Sequence, residues 1–222
     1  MTKEPQYGIF IDEFKENGAV ILGPMSSYMA RHDPKMMAIK LSRYKFIAKM
    51  LSGKNDVLEI GCGDSFGSTI VKDEVKNLTC TDFDPLWINY CKQINNNEIK
   101  FKLLNVIDDK IDEKYDAVFS MDVFEHILPK DEKKFIHGVI NCLKDRDSVC
   151  IIGIPSLESQ NYTSQINKEG HVNCKTGDDL KSLLLEYFNN VFIFSSNDEV
   201  VHTGYFKMAH YLIAVCCGVK RL

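Results

Sequence analysis

The chain has 222 residues, of which 45% are hydrophobic and 26% charged, the composition of a folded globular domain with a full core. Its formal net charge of −4 provides no basic surface of the kind that binds nucleic acid, so no nucleic-acid partner is expected. No apolar run approaches the roughly 20 residues of a membrane span, and residues 1–5 are polar. We therefore expect neither a membrane segment nor a signal peptide.

The eight cysteines are scattered along the chain without a C-x-x-C pair. Cys216 and Cys217 are adjacent, which is poor geometry for sharing one metal ion. Asp122 with His126 or His171 could hold a divalent cation, but the spacing is not that of a dedicated site. We therefore expect reduced thiols, a cytoplasmic location and no bound metal.

Residues 1–32 are predicted to be an appendage to a domain that spans residues 33–222. Two apolar runs, Gly8–Ile11 and Ala19–Leu22, are joined across Asn17-Gly18, a dipeptide typical of β-hairpins. Three roles stay open for this hairpin: a lid, a homodimer contact or an extra sheet edge.

Helices and strands alternate through the rest of the chain. Asp33-Pro34 has the residue types that begin a helix, and apolar residues at helical spacing continue to Leu51. Strands are predicted over residues 57–60, 78–81, 99–104, 115–120, 149–154, 191–194 and 209–215. Helices are predicted over residues 65–72, 86–94, 130–143 and 176–188, and residues 155–175 form a long polar loop suspected of function. This order is typical of an α/β domain with a largely parallel sheet.

The stretch around which this domain is organised is Asp56–Gly67, DVLEIGCGDSFG, a short buried strand followed by a glycine turn. Gly61 and Gly63 carry no Cβ, so backbone N–H groups of the turn can approach a ligand closely. The next strand ends at Asp82, about twenty residues past the first glycine, where such folds present a carboxylate to ribose hydroxyls. Together these features predict a nucleoside-containing cofactor.

Three segments, Glu59–Gly63, Thr81–Pro85 and Tyr115–Met121, resemble successive motifs of class I S-adenosylmethionine-dependent methyltransferases. The similarity is greatest to small-molecule O-methyltransferases of the ubiquinone and sugar type and covers roughly residues 35–217. It implies a Rossmann-like sheet of seven strands, mostly parallel with the last strand antiparallel, flanked by helices. Where the family has a third glycine this chain has Ser65, which we expect to cap the following helix.

The resemblance also implies S-adenosylmethionine as cofactor and a set of residues that bind it. Arg43 is expected at the methionine carboxylate, Phe83 against the adenine ring and Asn105 at its edge, while Asp84 caps the next helix. The full set is Arg43, Glu59, Gly61, Cys62, Gly63, Asp82, Phe83, Asn105, Val106 and Met121. A solvated Arg43 and core positions for Phe83 and Val106 are the structural alternatives.

Transfer of a methyl group to a hydroxyl removes a proton, so a base is expected near the carboxyl ends of the strands. His171, in the long loop after the fifth strand, is the first candidate for general base. His126, directly after the fourth strand, and His202, between the last two strands, are the others. Each has a packed or solvent-exposed structural role as its alternative.

The sequence therefore predicts S-adenosylmethionine-dependent methyl transfer to a small polar molecule, foremost a hydroxyl of a sugar or sugar nucleotide. N-methylation of a small amine and a non-catalytic binding module are the alternatives. A nicotinamide-dependent oxidoreductase is disfavoured because the chain has neither a complete G-x-G-x-x-G motif nor a separate substrate domain.

Overall fold

The computed structural model describes residues 3–94, 98–203 and 206–220. The strands within these ranges are β1 (Asp56–Ile60), β2 (Asn77–Asp82), β3 (Lys100–Leu103), β4 (Ala117–Met121), β5 (Val149–Pro155), β6 (Phe188–Ser196), β7 (Val201–His202) and β8 (Tyr211–Val219). The helices are α1 (Gly8–Asn17), α2 (Pro24–His32), α3 (Pro34–Met50), α4 (Ser68–Lys72), α5 (Pro85–Ile94), α6 (Glu132–Cys142), α7 (Gln165–Gly170) and α8 (Gly177–Leu185). Short 3₁₀ turns cover Pro5–Tyr7, Phe124–His126, Pro129–Asp131, Glu158–Asn161 and Phe206–Met208.

In the described ranges the strands form one mixed sheet in the order β3-β2-β1-β4-β5-β8-β6-β7. Strands β1 to β5 are parallel, and β8 lies antiparallel between β5 and β6. This confirms the Rossmann-like α/β fold. The expected number of seven strands is wrong, because Val201–His202 pairs with Ser195 and Ser196 and adds an eighth strand at the edge.

Two apolar layers cover the two faces of the sheet. One layer joins α6 and α8 to the sheet, and the other joins α3, α4 and α5 to it. All five residues of β4 are buried, as expected for a central parallel strand covered on both faces. The carboxyl ends of β1, β2, β4 and β5 consequently meet at one edge of the sheet, where ligands of open α/β folds bind.

The predicted N-terminal hairpin is wrong. Residues Gly8–Asn17 form helix α1, and Gly18 ends it with φ +75° and an N–H that donates to the Phe14 carbonyl, 2.9 Å. Asn-Gly is a helix stop as well as a hairpin turn, because glycine adopts this left-handed conformation without steric cost. Helix α2 follows and packs on α3, and residues 1–2 of the predicted appendage lie outside the described residues.

Three predicted helix starts are confirmed by capping hydrogen bonds. The Asp33 carboxylate accepts from Met36 N, 3.2 Å, the Asp84 carboxylate from Leu86 N, 2.8 Å, and the Thr176 hydroxyl from Asp179 N, 3.1 Å. Ser65 is not a cap, because α4 begins only at Ser68. It instead adopts φ +55°, a left-handed conformation that is uncommon for residues other than glycine.

None of the helices in residues 3–94, 98–203 and 206–220 is both long and apolar enough to cross a bilayer.

Helix α6 packs so closely on the segment after β3 that only glycine fits at Gly138. A Cβ there would overlap the carbonyl oxygen of Val106. We expect Gly138→Ala to lower the free energy of unfolding by about 1–3 kcal/mol, the usual cost of overpacking a core. Gly8→Ala is the matched control, since nothing lies within 4 Å of a Cβ at that position. Urea unfolding of both variants checks this, and equal stability of the two would contradict the packing.

Candidate functional site

The glycine turn after β1 has the backbone that its sequence predicts. Gly61 and Gly63 have φ +77° and +54°, values that favour glycine. The N–H groups of Gly61 and Cys62 both donate to the Thr81 carbonyl, at 2.8 and 2.9 Å. A Cβ on Gly61 would overlap the side chain of Val123, so this position cannot accept another residue without movement. The turn is thereby fixed against the ends of β2 and β4.

Asp82 ends β2 with a buried carboxylate directed at this turn. One oxygen accepts from the Gly63 N–H, 3.1 Å, and the other from the Asp84 N–H, 3.0 Å. The next residue, Phe83, leaves its ring 73% exposed to solvent. An acid beside the glycine turn and an exposed flat ring next to it provide the elements for binding a ribose and a base.

Glu59 and Cys62 lie beneath the turn. Glu59 is fully buried and accepts hydrogen bonds from the Tyr44 hydroxyl, 2.9 Å, and the Cys80 thiol, 3.1 Å. Burial raises the pKa of Glu59. The buried Cys62 thiol donates to the Gly63 carbonyl, 3.7 Å. Both residues therefore support the turn from below, and neither has the exposure of a direct ligand contact.

Three further residues that were predicted to bind the cofactor, Asn105, Val106 and Met121, contact other parts of the protein. The amide oxygen of Asn105 accepts from Ile107 N, 3.1 Å, and its amide nitrogen donates to Asp108, 2.9 Å. Val106 is buried in the core against α6, and Met121 is buried at the end of β4. The burial of Val106 agrees with the alternative that this residue belongs to the core.

Arg43, on α3, reaches the carboxyl edge of the sheet and is not a solvated surface residue. Its side chain is 14% exposed, and its guanidinium carbon lies 3.6 Å from the centroid of the Tyr211 ring. Its Nη1 lies 3.9 Å from an oxygen of Asp122, a non-glycine residue with φ +56°. The Arg43 Nε has no hydrogen-bond partner within the described residues. This buried donor is therefore left unsatisfied by the described residues.

A cavity of about 770 Å³ opens at the same edge of the sheet. It is lined by α2 and α3 on one side, by the end of β4 at its floor and by the loop after β5 on the other side. Its lining residues include Met25, Tyr28, Lys40, Arg43, Asp122, Glu125, His126, Ser159, Gln160, Tyr162, Thr163, Asn167 and His171. The long polar loop suspected from the sequence therefore forms a wall of this cavity.

His126 and His171 meet in this cavity although they are distant in sequence. Their ring centroids are 5.2 Å apart. His126 Nδ1 bonds the Gly170 carbonyl, 2.8 Å, and His171 Nδ1 bonds the side-chain oxygen of Gln160, 2.9 Å. The backbone carbonyl of Glu125 accepts from the N–H groups of residues 172 and 173, both at 2.9 Å. These bonds join the end of β4 to the loop after β5.

Glu125 lies beside the two histidines with its side chain 1% exposed. Burial, and then the neighbouring Asp122 carboxylate, raises the pKa of Glu125 to about 9. Burial, and then the nearby His126, lowers the pKa of His171. Sequence reasoning missed Glu125 and Gln160; the Glu-His dipeptide directly after β4 was the available signal for Glu125.

The third predicted base, His202, is not brought to this cavity. It lies on the edge strand β7, and its Nδ1 is 3.3 Å from the Ser195 hydroxyl. Neither it nor any other described residue of the loop 197–207 lines the cavity, and Gly204 and Tyr205 of that loop lie outside the described residues.

Comparison with protein families matches residues 58–151 to the model described as Methyltransferase domain. This span runs from β1 into β5 and includes the glycine turn, Asp82 and His126. The chain is 27% identical over 132 residues to a methyltransferase-like protein, 235L, of Invertebrate iridescent virus 6. That match covers 57% of this chain and 47% of the viral protein, so the chain spans about half the length of this relative.

Solved structures share the fold at low sequence identity. The N-methyltransferase NodS from Bradyrhizobium japonicum, in complex with S-adenosyl-L-homocysteine, has a TM-score of 0.64 and 14% identity, covering 84% of this chain and 89% of its own. The structure of a DhpI–SAH complex has a TM-score of 0.65 and 17% identity, covering 88% and 92% of the two chains. At these identities the likeness concerns the fold.

We expect Arg43 and Asp122 to be energetically coupled. Arg43→Met keeps an apolar side chain beside Tyr211 but removes the guanidinium, which lies over the Tyr211 ring and is the only cation next to Asp122 among the described ion pairs. It should cost about 1–2 kcal/mol of stability because the acid loses its partner. Asparagine tolerates the left-handed backbone at position 122. Asp122→Asn should therefore lower the free energy of unfolding less in the Arg43→Met background than in the wild type. A double-mutant cycle by urea unfolding with a coupling below about 0.5 kcal/mol would contradict the contact.

Proposed function

We propose that this chain, a class I S-adenosylmethionine-dependent methyltransferase by its domain match and its fold, methylates a hydroxyl group of a small polar molecule of the sugar or sugar-nucleotide class. The proposal rests on one observation, the cavity at the carboxyl edge of the sheet. Arg43 lies on one side of this cavity, and the His126–His171 pair lies on the other.

The residues at this edge fit S-adenosylmethionine. Gly61 and Gly63 have no side chains of their own, which lets Val123 and Met25 pack directly against the turn. Arg43, which lines the cavity, would pair with the methionine carboxylate. Asp82 would accept from the ribose hydroxyls, and the exposed Phe83 ring would stack on the adenine. Glu59 and Cys62 would hold the turn, and Asn105, Val106 and Met121 would shape the floor under the base.

S-adenosylmethionine supplies an electrophilic methyl group, so that a bond from the acceptor oxygen to the methyl carbon forms as the carbon–sulfur bond breaks. The protein's contribution is to hold donor and acceptor in line and to remove the hydroxyl proton. His171 suits proton removal, because the bond from Nδ1 to Gln160 leaves Nε2 as the acceptor and the lowered pKa keeps the ring neutral. His126, fixed in the same way by Gly170, lies next to it.

The cavity wall supports a polar acceptor. The loop after β5 contributes hydroxyl and amide groups from Ser159, Gln160, Thr163 and Asn167. The opposite wall, from α2 and α3, is formed largely by methionines and by Tyr28, which can pack against the C–H face of a sugar ring.

The eight cysteines are free thiols, which supports the predicted cytoplasmic location.

Asp82 and Asp84 provide a matched test of cofactor binding. We expect Asp82→Asn to weaken binding of S-adenosyl-L-homocysteine at least tenfold, about 1.4 kcal/mol, because the ribose hydroxyls lose a charged acceptor. Asp84→Asn should bind as the wild type does, since asparagine caps a helix as well as aspartate. Isothermal titration calorimetry measures both; equal affinities, or no binding by the folded wild type, would contradict the assignment.

The histidine base is tested by turnover with labelled cofactor on the small-molecule fraction of a cell extract. His171→Ala should lower the rate of methyl transfer about 100-fold while affinity for S-adenosyl-L-homocysteine is kept, since general bases contribute on this scale. His137→Ala, an exposed histidine on α6, is the control and should leave the rate unchanged. An unchanged rate in His171→Ala overturns the base, and a product methylated on nitrogen overturns the hydroxyl acceptor.

A further inference from the structure

Three potential metal ligands converge in the cavity. One ligand atom each from Glu125, His126 and His171 lie within 4.8 Å of one another. Three ligand atoms bound to one cation at about 2.1 Å lie about 3.0–3.6 Å apart, so shifts of up to about 0.7 Å in each side chain would complete the site. The Nε2 of His126 already lies 3.9 Å from an oxygen of Glu125.

Both histidines have the second hydrogen bond that metal-binding histidines have. Each Nδ1 contacts an oxygen that can only accept, the carbonyl of Gly170 for His126 and the side-chain oxygen of Gln160 for His171. The proton is therefore on Nδ1, and the lone pair of each ring is on Nε2. A carbonyl partner of this kind orients the ring and raises the basicity of the ligand atom.

Glu125 supplies the independent observation. Both of its carboxylate oxygens are inaccessible to solvent and have no hydrogen-bond partner within the described part of the chain. A carboxyl group buried without a partner is costly, and a cation at this point would satisfy it. Its backbone carbonyl is tied to Val172 and Asn173, so the side chain is held at the position where His171 arrives.

We propose that Glu125, His126 and His171 bind one divalent first-row transition-metal cation in the acceptor end of the cavity. Two imidazoles and one carboxylate suit cations from Mn²⁺ to Zn²⁺, whereas Mg²⁺ prefers oxygen ligands alone. Three protein ligands leave positions open for substrate oxygens. This replaces the sequence-based expectation of no metal, which considered the spacing along the chain and not the contact between the two loops.

The proposal deepens the proposed function, because the cation would lie where the acceptor hydroxyl is expected. A hydroxyl bound to a cation has a lowered pKa and releases its proton to water. The oxygen's electron pair then forms the bond to the methyl carbon, and the pair of the carbon–sulfur bond stays on sulfur. With the cation bound, His126 and His171 are ligands, and the cation takes over the role assigned above to a histidine base.

The test is a titration of the full chain with Mn²⁺ after treatment with a chelator, without cofactor or acceptor, in which electron paramagnetic resonance measures free Mn²⁺. We expect one equivalent to bind. His126→Ala, His171→Ala and Glu125→Gln should each weaken binding at least tenfold, and Gln160→Ala should weaken it about tenfold with all three ligands retained. His137→Ala is the matched control and should bind as the wild type does.

Circular dichroism verifies that each variant is folded; if Glu125→Gln does not fold, the two histidine variants decide. Absence of Mn²⁺ binding by the folded wild type, or binding by His126→Ala and His171→Ala with the affinity of the wild type, overturns the site. Calorimetry with S-adenosyl-L-homocysteine separates this outcome from the proposed function. A chain that binds this compound but no Mn²⁺ loses only the metal, and a chain that binds Mn²⁺ alone loses only the methyltransferase assignment.

Discussion

Two backbone hydrogen bonds, from Val172 N and Asn173 N to the Glu125 carbonyl, bring the candidate site together. Because β4 and β5 are parallel neighbours, the segments that follow them begin at the same edge of the sheet. This arrangement brings the two segments near each other but does not by itself hold them in contact. The backbone bonds, with the bond from His126 to the Gly170 carbonyl, fix the loop after β5 against the end of β4. His171 can therefore face His126 only while this connection is intact.

Polar atoms of Arg43 and Glu125 near this connection have no hydrogen-bond partner within the described residues, as is expected where a ligand binds. Asp122 and Glu125 lie on the cavity floor. The Arg43 Nη1 lies 3.9 Å from an Asp122 oxygen, and the Arg43 Nε has no hydrogen-bond partner within the described residues. The stacking of Arg43 on Tyr211 holds the guanidinium in place without consuming that donor. An anionic group at Arg43 and a cation at Glu125 would each satisfy a buried polar group that the described residues leave without a hydrogen-bond partner.

Local patterns in the sequence were sufficient for strands β1 to β5, the glycine turn and three helix caps, because these depend on neighbouring residues. The mixed sheet with an antiparallel strand was implied by the family resemblance. The strand Val201–His202 is too short to show periodicity, and Asn17-Gly18 stops a helix as readily as it turns a hairpin. Val106 could not be placed from sequence, because its burial depends on its fit against Gly138 on a distant helix. The same holds for Glu125 with His171, since only the folded loops bring them into contact.

Both cavity histidines present an unprotonated Nε2, because acceptor oxygens hold the proton on Nδ1. Nitrogen-15 NMR of histidine-labelled protein reports this tautomer directly, with His126→Ala and His171→Ala used to assign the signals. We expect the Nδ1–H form for both rings in the neutral, metal-free protein. The Nε2–H form at both residues would contradict the geometry from which the base and the cation site are argued.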